Sequence, residues 1–432
     1  MTETQPHQPP IIRIDDMADP AISPELAAAR HGPADWPDHM TATEVCARAA
    51  AETGLDDFGA DTGFRERLAV ILQALDEDQG LTRGGRITIL QGAVRVMANR
   101  LRIEDLVKRH PEILEIPIER PIFIAGLPRS GTTHLVNWLA RDDRLHSLTL
   151  WESEEPVPAV ELTPDEIAQG RVDPRLARSA AVWGAFGRLL PHMAAMHEMA
   201  ATDIHEDNEL MFMDMNCYNW EFQSRLPRWI DHYLTHDRTV SYAYEKKVLQ
   251  VIAWYRGDKG ADPGRANRRW LLKSPQHMEN LAAIKAVFPD ATMVITHRDP
   301  VDVLRSLTTM LGYSDRIRRD PTDPHGLARH WADRIERLLR ECVAQREVWG
   351  PDQSIDVLFH DYMADQEGMA RRIYALAGLD LPPETEARLR GYLAENPRHA
   401  AGKVIYDLEG TFGTAVAALR ERFAFYYDRF PV

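Results

Sequence analysis

The fold is decided by the stretch Gly126-Leu127-Pro128-Arg129-Ser130-Gly131-Thr132-Thr133 in this 432-residue chain. Its two glycines have the spacing of a nucleotide phosphate loop, and it lies between a predicted apolar strand, Pro121 to Ala125, and a predicted helix that carries Leu135 and Trp138. Glycines let the backbone approach an anion closely, and the N–H groups at a helix start add donors and a positive dipole end. A glycine-rich turn that binds nothing is the alternative. The whole octet in its strand–loop–helix setting favours an anion-binding loop.

The loop departs from a nucleoside-triphosphate loop in the position of its cation. A standard loop has Lys where Thr132 stands, and that Lys reaches the β- and γ-phosphates while the next hydroxyl holds Mg²⁺. Here the cation is Arg129, inside the loop. No metal-holding acid follows the predicted strand Trp270 to Leu272, which runs directly into Lys273. These departures weigh against a triphosphate, and we predict no metal site.

Strands and helices alternate on the C-terminal side of the loop. The predicted order is strand Trp270–Leu272, helix Met278–Phe288, strand Thr292–Thr296, helix Pro300–Leu311, helix Leu327–Trp349, strand Ile355–Phe359 and helices to about Glu395. This alternation is typical of a parallel sheet covered on both faces. We predict an α/β fold with a P-loop-type parallel sheet flanked by helices, preceded by a helical N-terminal extension.

The chain is divided by composition into three parts. Residues 1–40 are rich in Pro and Asp and are predicted to form a flexible arm. Residues 41–118 have helical periodicity and form the N-terminal extension. Residues 119–432 form the α/β domain, in which residues about 151–265 are predicted to be mostly helical.

Charge and cysteine content exclude several classes of protein. The chain has 66 acidic and 51 basic residues, a net charge of −15, so no nucleic-acid partner is expected and any anion site must be a local cluster. Cys46, Cys217 and Cys342 have neither metal-ligand spacing nor the pattern of a disulfide framework. The N-terminus lacks the features of a secretory signal, and no apolar run approaches the roughly 20 residues of a spanning helix. We expect a cytoplasmic protein without a transmembrane segment.

A second motif, Thr296-His297-Arg298-Asp299-Pro300-Val301-Asp302-Val303-Leu304-Arg305-Ser306, places Arg at a strand end and Ser eight residues later on the next helix. Arg298 offers a forked set of donors to phosphate, and Ser306 adds a hydroxyl. A helix-start ion pair for Arg298 and a surface hydroxyl for Ser306 are the alternative. A third motif, Trp270-Leu271-Leu272-Lys273-Ser274-Pro275-Gln276-His277, ends a strand in Lys with His shortly after.

Together these motifs resemble the sulfotransferase family that uses 3′-phosphoadenosine 5′-phosphosulfate (PAPS), in particular its bacterial branch with the loop Leu-Pro-Arg-Ser-Gly-Thr-Thr. The resemblance covers roughly residues 45 to 415 and implies PAPS as co-substrate. It implies that the 5′-phosphosulfate is bound by Arg129, Ser130, Gly131, Thr132 and Thr133. His134 stands where some relatives carry Trp against the adenine.

The same resemblance assigns the remaining cofactor contacts. Arg298 and Ser306 match the 3′-phosphate site, and Lys273 matches a residue that stabilises charge on the bridging oxygen. Arg398 and Lys403 lie in a stretch that looks like the family's terminal basic loop, and they are candidates for further phosphate contacts. A solvated basic loop is the alternative for these two residues.

Two residues are candidates for the base that removes the proton of the acceptor hydroxyl. Glu152, which follows Trp151 in a predicted apolar strand, lies at a distance from the loop similar to that of the catalytic Glu in the branch that sulfates protein tyrosines. His277 is the candidate by analogy with the small-molecule branch. A surface acid and a solvated helix-start His are the respective structural alternatives, and Glu152 is slightly favoured.

The acceptor is expected to be a small apolar alcohol, a phenol or a lipid. The segment from His192 to Asn219, with Trp220 beside it, is rich in Met and aromatic residues, a composition that suits an adaptable apolar pocket as well as ordinary helix core. Its histidines lack metal-ligand spacing. Two other functions remain open from the sequence: a phosphate-loop kinase that uses ATP and Mg²⁺ on a small molecule, and a non-catalytic nucleotide-binding module.

Overall fold

The structure is a computed structural model that describes residues 9–162, 166, 169–257, 268–396 and 402–432. Within these residues a five-stranded parallel sheet lies at the centre, in the order β3-β4-β2-β5-β6. Its strands are β2 (Ile122–Gly126), β3 (Leu145–His146), β4 (Arg269–Ser274), β5 (Thr292–His297) and β6 (Ser354–Leu358). A separate two-stranded parallel pair joins β1 (Ile11–Ile12) to β7 (Lys403–Val404).

Helices cover both faces of the central sheet, as the sequence predicts. Alternate side chains of β2 enter two different cores: Phe123 and Ala125 belong to the larger one, and Ile122 and Ile124 to the smaller one. A strand that is apolar on both faces is typical of a parallel sheet buried between helices. The predicted α/β class with a P-loop-type sheet is therefore confirmed.

The helices before the sheet are α1 (Pro24–His31), α2 (Ala42–Thr53), α3 (Gly63–Glu77) and α4 (Arg83–Arg109). Those from the loop to the end of the stretch of about residues 151–265, called the central segment below, are α5 (Thr132–Leu139), α6 (Leu150–Glu154), α7 (Pro174–Leu189), α8 (Met193–Met196), α9 (Asn208–Met211), α10 (Pro227–Thr235) and α11 (Thr239–Tyr255). The remainder are α12 (Leu281–Val287), α13 (Pro300–Arg318), α14 (Pro324–Gln345), α15 (Phe359–Ala364), α16 (Gln366–Ala377), α17 (Pro383–Glu395), α18 (Leu408–Phe412), α19 (Val416–Arg422) and α20 (Ala424–Tyr427). Short 3₁₀ turns occupy Pro111–Glu115, Phe212–Asp214, Tyr218–Phe222, Pro275–Glu279 and Arg346–Val348.

The described part of the predicted flexible arm, residues 9–40, is packed on the body of the protein. Its strand β1 pairs with β7, and its helix α1 lies against α4 and α13. Ile14 and Met17 are buried in the larger core, and Arg30 donates to the backbone carbonyls of Arg316 and Arg319 at 2.9 and 3.0 Å. The composition, rich in Pro and Asp, predicted a flexible arm, whereas a few apolar residues anchor its described part.

The N-terminal extension shares its core with the α/β domain. Arg67 of α3 and Arg100 of α4 both reach Asp214, which is fully buried in the central segment, at Nη2–Oδ1 2.5 Å and Nη1–Oδ1 3.4 Å. Both guanidinium groups also donate to backbone carbonyls of that segment, those of Asp214 and Met213. Buried charges are tolerated where they are paired and hydrogen-bonded. The extension is thus fastened to residues 208–222 by buried ion pairs as well as by apolar contacts.

Two predicted elements differ in detail from the structure. The predicted helix Met278–Phe288 is a 3₁₀ turn, Pro275–Glu279, followed by the shorter helix α12. The predicted strand before Glu152 is the short helix α6, which begins after Thr149. No helix among the described residues has the length and apolar character that crossing a bilayer requires.

Candidate active site

The loop after β2 has the geometry of an anion-binding nest. Arg129 and Gly131 both adopt positive φ, 67° and 93°, and the N–H of Ser130 donates to the carbonyl of Leu127 at 3.1 Å. Gly131 is the N-cap of α5, and no side chain caps this helix start. The first N–H groups of α5 therefore remain available to an anion at the positive end of the helix dipole.

Close packing explains the first glycine of the loop. A Cβ at Gly126 would lie 1.9 Å from Oγ1 of Thr296 at the end of β5. That hydroxyl also lies 2.9 Å from Oγ of Ser130, which is buried. The loop is thus packed against the end of the neighbouring strand, and the hydrogen bond between Ser130 and Thr296 holds it there.

Lys273 ends β4 beside the loop and is paired with an acid. Its Nζ donates to Oε1 of Glu206 at 2.7 Å and to Oγ1 of Thr133 at 3.3 Å. The side chain of Lys273 is only 2% exposed, and Glu206 is largely covered. Because β4 is adjacent to β2 in a parallel sheet, the carboxyl ends of both strands open at the same edge. This brings a cation, a carboxylate and the loop together.

Arg298 and Ser306 lie on the other side of the loop, after β5. Nη1 of Arg298 donates to the carbonyl of Arg129 at 2.6 Å, and Nε of Arg129 donates to Oγ of Ser306 at 3.1 Å. The guanidinium of Arg298 also lies 4.5 Å from the ring centre of Phe359, at the end of β6. The two predicted phosphate motifs are therefore in direct contact, and Arg129 links them.

The terminal segment approaches the loop through Tyr406. Burial lowers the pKa of Arg129, and the interaction of its guanidinium with the phenol of Tyr406 partly offsets this effect. Lys403 is exposed in β7, where its backbone pairs with Ile11. Arg398 lies outside the described residues.

His197 lies near Arg129 and Lys273, and the sequence did not single it out as a site residue. Burial, and then the charges of Arg129 and Lys273, lower the pKa of His197 to about 3. A neutral imidazole is therefore present beside the anion site across the physiological range. Its ring Nδ1 lies 3.2 Å from the carbonyl of Glu198.

Glu206 is positioned by the backbone of the segment before it. Residues 201–205 run beside Leu148–Trp151, with the N–H of Leu150 donating to Asp203 and the N–H of His205 donating to Leu148, both at 2.9 Å. Since Leu148 follows β3, which pairs with β4, this segment ends next to Lys273. The sequence offers no local signal for this, because Glu206 and Lys273 meet only through the sheet.

Glu152, the favoured candidate for the base, is engaged elsewhere. Its Oε2 accepts from Nη2 of Arg256 at 2.6 Å and from the hydroxyl of Thr149 at 2.5 Å, and its Oε1 accepts from Nε of Arg256 at 3.0 Å. Burial would raise the pKa of Glu152, but the hydrogen bonds and charge of Arg256 outweigh it and the pKa is lowered. This geometry favours a helix-capping and ion-pairing role for Glu152, since both of its oxygens are occupied.

His277, the second candidate, is also enclosed. Its Nε2 lies 3.0 Å from Oδ2 of Asp207, and its Nδ1 lies 2.9 Å from the hydroxyl of Tyr242. The side chains of His277 and Asp207 are 0% exposed. Both ring nitrogens are therefore occupied inside the protein, and an acceptor hydroxyl has no free nitrogen to meet.

His134 faces an aromatic cluster on the smaller-core side of the loop helix. Its Nδ1 lies 2.6 Å from the hydroxyl of Tyr362, and its ring lies edge-on to Tyr362 and tilted against Tyr392, with centroids 5.9 and 5.7 Å apart. Burial lowers the pKa of His134, so its ring is neutral. Thr132 is buried at the first position of the same helix.

The arrangement collects cationic and N–H donors at the carboxyl edge of three adjacent strands. Lys273 lies on one side of the loop, Arg298 and Ser306 on the other, and Arg129 between them. Preorganised donors of this kind stabilise anions and the charge that develops when a group is transferred. Glu206 and His197 also lie beside this edge.

Comparison with known proteins identifies the family to which the chain is similar. The model of the sulfotransferase family matches residues 121–383, more than half of the 432-residue chain. The omega-hydroxy-beta-dihydromenaquinone-9 sulfotransferase Stf3 of Mycobacterium tuberculosis is 26% identical over 298 residues, which cover 64% of this chain and 67% of the relative. The sequence of the same name from Mycobacterium bovis matches equally.

Two crystal structures share the fold over almost their whole length. The sulfotransferase STF1 from Mycobacterium tuberculosis H37Rv superposes with a TM-score of 0.76 at 29% identity, covering 90% of this chain and 99% of that one. STF9 from Mycobacterium avium gives 0.77 at 27% identity, covering 92% and 99%. The chain belongs to the sulfotransferase family, and it is an enzyme that transfers a sulfuryl group.

Proposed function

We propose that the chain transfers the sulfuryl group of PAPS to the hydroxyl of an apolar, lipid-like acceptor. The observation that carries the donor assignment is the contact between the two phosphate motifs: Arg129 donates to Ser306 and accepts from Arg298. A nucleotide with phosphate groups on both sides of its ribose suits two adjacent anion sites that share one arginine. The uncapped start of α5 would receive the 5′-phosphosulfate, and Arg298 with Ser306 the 3′-phosphate.

Binding of the product nucleotide tests the donor. We expect adenosine 3′,5′-bisphosphate to bind without Mg²⁺, and ATP to bind more weakly with or without it, in a calorimetric titration. Arg298→Gln should weaken bisphosphate binding at least tenfold, because it removes a charge-assisted contact to phosphate. Arg340→Gln is the matched control, since Arg340 is exposed and paired with Glu336 on α14. A preference for Mg²⁺–ATP would refute the donor assignment and indicate a kinase.

We assign the base to Glu206. Its carboxylate lies 2.7 Å from Nζ of Lys273, so the proton acceptor and the cation that stabilises the bridging oxygen are neighbours. As the acceptor oxygen bonds to sulfur, its proton passes to Glu206 and the bond from sulfur to the bridging oxygen breaks, leaving the bisphosphate. His197 is the weaker base, since an imidazole with a pKa of about 3 has little affinity for a proton.

Substitution of Glu206 tests this role. We expect Glu206→Gln to lower kcat by about 10²- to 10⁴-fold, the range typical of general-base removal, while bisphosphate binding is retained. Glu198→Gln, an exposed acid beside His197, is the control and should remain active. Full activity of the Glu206 variant, with a large loss for His197→Gln instead, would transfer the role to the imidazole.

The acceptor class is supported by the apolar side chains in the stretch of chain before His197. Val182 on α7 is 60% exposed, and Val160 and Val172 are also exposed nearby in the chain. α7 is followed by α8, whose Met193 and Met196 are buried, and then directly by His197 beside the loop cations. Apolar side chains beside a few polar groups are typical of sites for apolar ligands. The relative Stf3 is named for a menaquinone-derived acceptor.

A series of primary alcohols of increasing chain length tests the acceptor. We expect kcat/KM with PAPS to rise with chain length, because each buried methylene contributes about 0.8 kcal/mol. Val182→Asp should reduce the rate with long alcohols and leave the rate with short alcohols unchanged. Faster transfer to sugars or short polar alcohols than to long alcohols would exclude a lipid-like acceptor.

A further inference from the structure

We infer that Glu66, His232 and His236 form a binding site for a transition-metal ion, with Zn²⁺ the best match. Each residue offers one ligand atom, and these three atoms lie within 4.8 Å of one another. Glu66 lies on α3, His232 lies four residues before His236, and His236 caps the C-terminal end of α10. The site is formed where the N-terminal extension meets the central segment, and none of its residues belongs to the sulfuryl-transfer site.

The spacing of the donors suits a tetrahedral ion. Two donors that bind one Zn²⁺ at about 2.0–2.2 Å lie about 3.4 Å apart. Nε2 of His232 and Oε1 of Glu66 are 3.3 Å apart, which is close to that value. The side chain of Glu66 is 69% exposed, so it can rotate to close the remaining distance to His236 without disturbing the core.

The hydrogen bonds of the two imidazoles determine which nitrogens face the ion. Nδ1 of His236 lies 2.8 Å from the carbonyl of His232, so it donates there and leaves Nε2 with a free lone pair. A metal-ligating histidine almost always donates its other N–H in this way. Nδ1 of His232 is buried without a hydrogen-bond partner among the described residues, which leaves Nε2 as its outward-facing nitrogen. The two rings are stacked with centroids 3.9 Å apart, which keeps both on one side of α10.

The chemistry of the donor set selects the class of ion. Two neutral imidazoles and one carboxylate suit Zn²⁺, Cu²⁺, Ni²⁺ or Co²⁺, whereas Mg²⁺ and Ca²⁺ prefer oxygen ligands alone. Three protein ligands leave a fourth position for water. The ion would join α3 to α10 across a contact that already holds the ion pair between Arg228 and Glu77 at 2.7 Å. Its expected effect is to fasten the extension to the segment that leads to the active site.

Metal titration of tag-free protein, freed of metal with a chelator, tests the site. We expect one Zn²⁺ to bind per chain and to raise the melting temperature by a few degrees when free Zn²⁺ exceeds Kd about a hundredfold. Mg²⁺ should neither bind nor stabilise.

Variants distinguish this site from adventitious binding. Glu66→Gln and His236→Ala should each weaken Zn²⁺ at least tenfold and remove the thermal shift. Glu66 is exposed, so its substitution leaves the fold intact and a loss of binding reports on the ligand alone. His39→Ala is the matched control: His39 is an exposed histidine paired with one carboxylate, Asp76, at 2.7 Å, and its loss should change nothing. Binding that is absent in the wild type, or equal in wild type and both site variants, overturns the inference.

Discussion

Replacement of His277 by Gln separates a structural role from a catalytic one. His277 and Asp207 are fully buried and lie 3.0 Å apart, and a second carboxyl, Glu245, is buried beside Asp207. Burial, and then the charge of Asp207, raise the pKa of Glu245 well above its usual range, which favours the neutral form of Glu245. Burial would raise the pKa of Asp207 too, but the charge of His277 outweighs it, and its pKa is lowered. Asp207 therefore depends on its contact with His277.

The expected loss of stability follows from leaving that carboxylate without its partner. Leaving a buried charge without its partner costs about 3–5 kcal/mol. The entropy of unfolding is about 2.1 cal/mol/K per residue, or about 0.9 kcal/mol/K for 432 residues. We therefore expect His277→Gln to lower the melting temperature by about 3–5 °C. Asp207→Asn removes the buried charge, so the double variant should recover part of the loss.

Activity is the second measurement on the same four proteins. The pairs Glu206–Lys273 and Asp207–His277 connect the same two segments of the chain. Asp207 directly follows Glu206, and His277 lies four residues after Lys273. Loosening one pair should shift the other and lower kcat by roughly tenfold, because misplacing a catalytic group by about 1 Å costs up to about 10²-fold. The double-mutant cycle should show coupling in stability. A His277→Gln protein with wild-type stability and a kcat loss of about 10³-fold or more would refute the reasoning and make His277 the base.

Three further predictions concern residues around the site and the extension. Asp78→Asn should lower the free energy of unfolding by about 2 kcal/mol at pH 7. Burial would raise the pKa of Asp78, but Arg319 and the other donors lower it to about 2, so the stabilisation is complete above about pH 4 and is lost as the pH falls toward 2. Denaturant unfolding at pH 7, 4 and 3 measures this. An equal cost at pH 7 and 3 would contradict this. Gly126→Ala should abolish bisphosphate binding in calorimetry, because the new Cβ would lie 1.9 Å from Oγ1 of Thr296 and displace the loop. Unchanged affinity would mean that the loop adapts to the added methyl group. Glu152→Gln should lower the melting temperature by a few degrees, because it weakens the pair with Arg256, while kcat stays within a few-fold of wild type. A loss in kcat of about 10²-fold with bisphosphate binding intact would restore Glu152 as the base.

The sequence predicted the fold class, and it singled out those candidate site residues that have local signals. The loop from Gly126 to Thr133 is a strand, a nest and a helix start in one continuous stretch, so its residue types and their order predict its conformation. Two other motifs are also local. Lys273 lies in one strand and the turn that follows it, and Arg298 with Ser306 lies in one strand end and the helix that follows it. Parallel strands then bring the three ends to one edge without further information from the side chains.

The proposed proton acceptor could not be predicted in this way because its position depends on contacts that are distant in sequence. Glu206 meets Lys273 because residues 201–205 pair with the backbone after β3, an antiparallel contact in an irregular segment with no periodicity to reveal it. Glu152 has the more suggestive sequence position, beside Trp151, but Arg256 reaches it from the end of α11 and occupies both of its oxygens. For an acidic side chain, the decisive property is which cation lies within about 3 Å, and that is fixed by the tertiary fold. A carboxylate paired with a cation of the transfer site is therefore the better choice for the base than one paired with a cation that serves the scaffold.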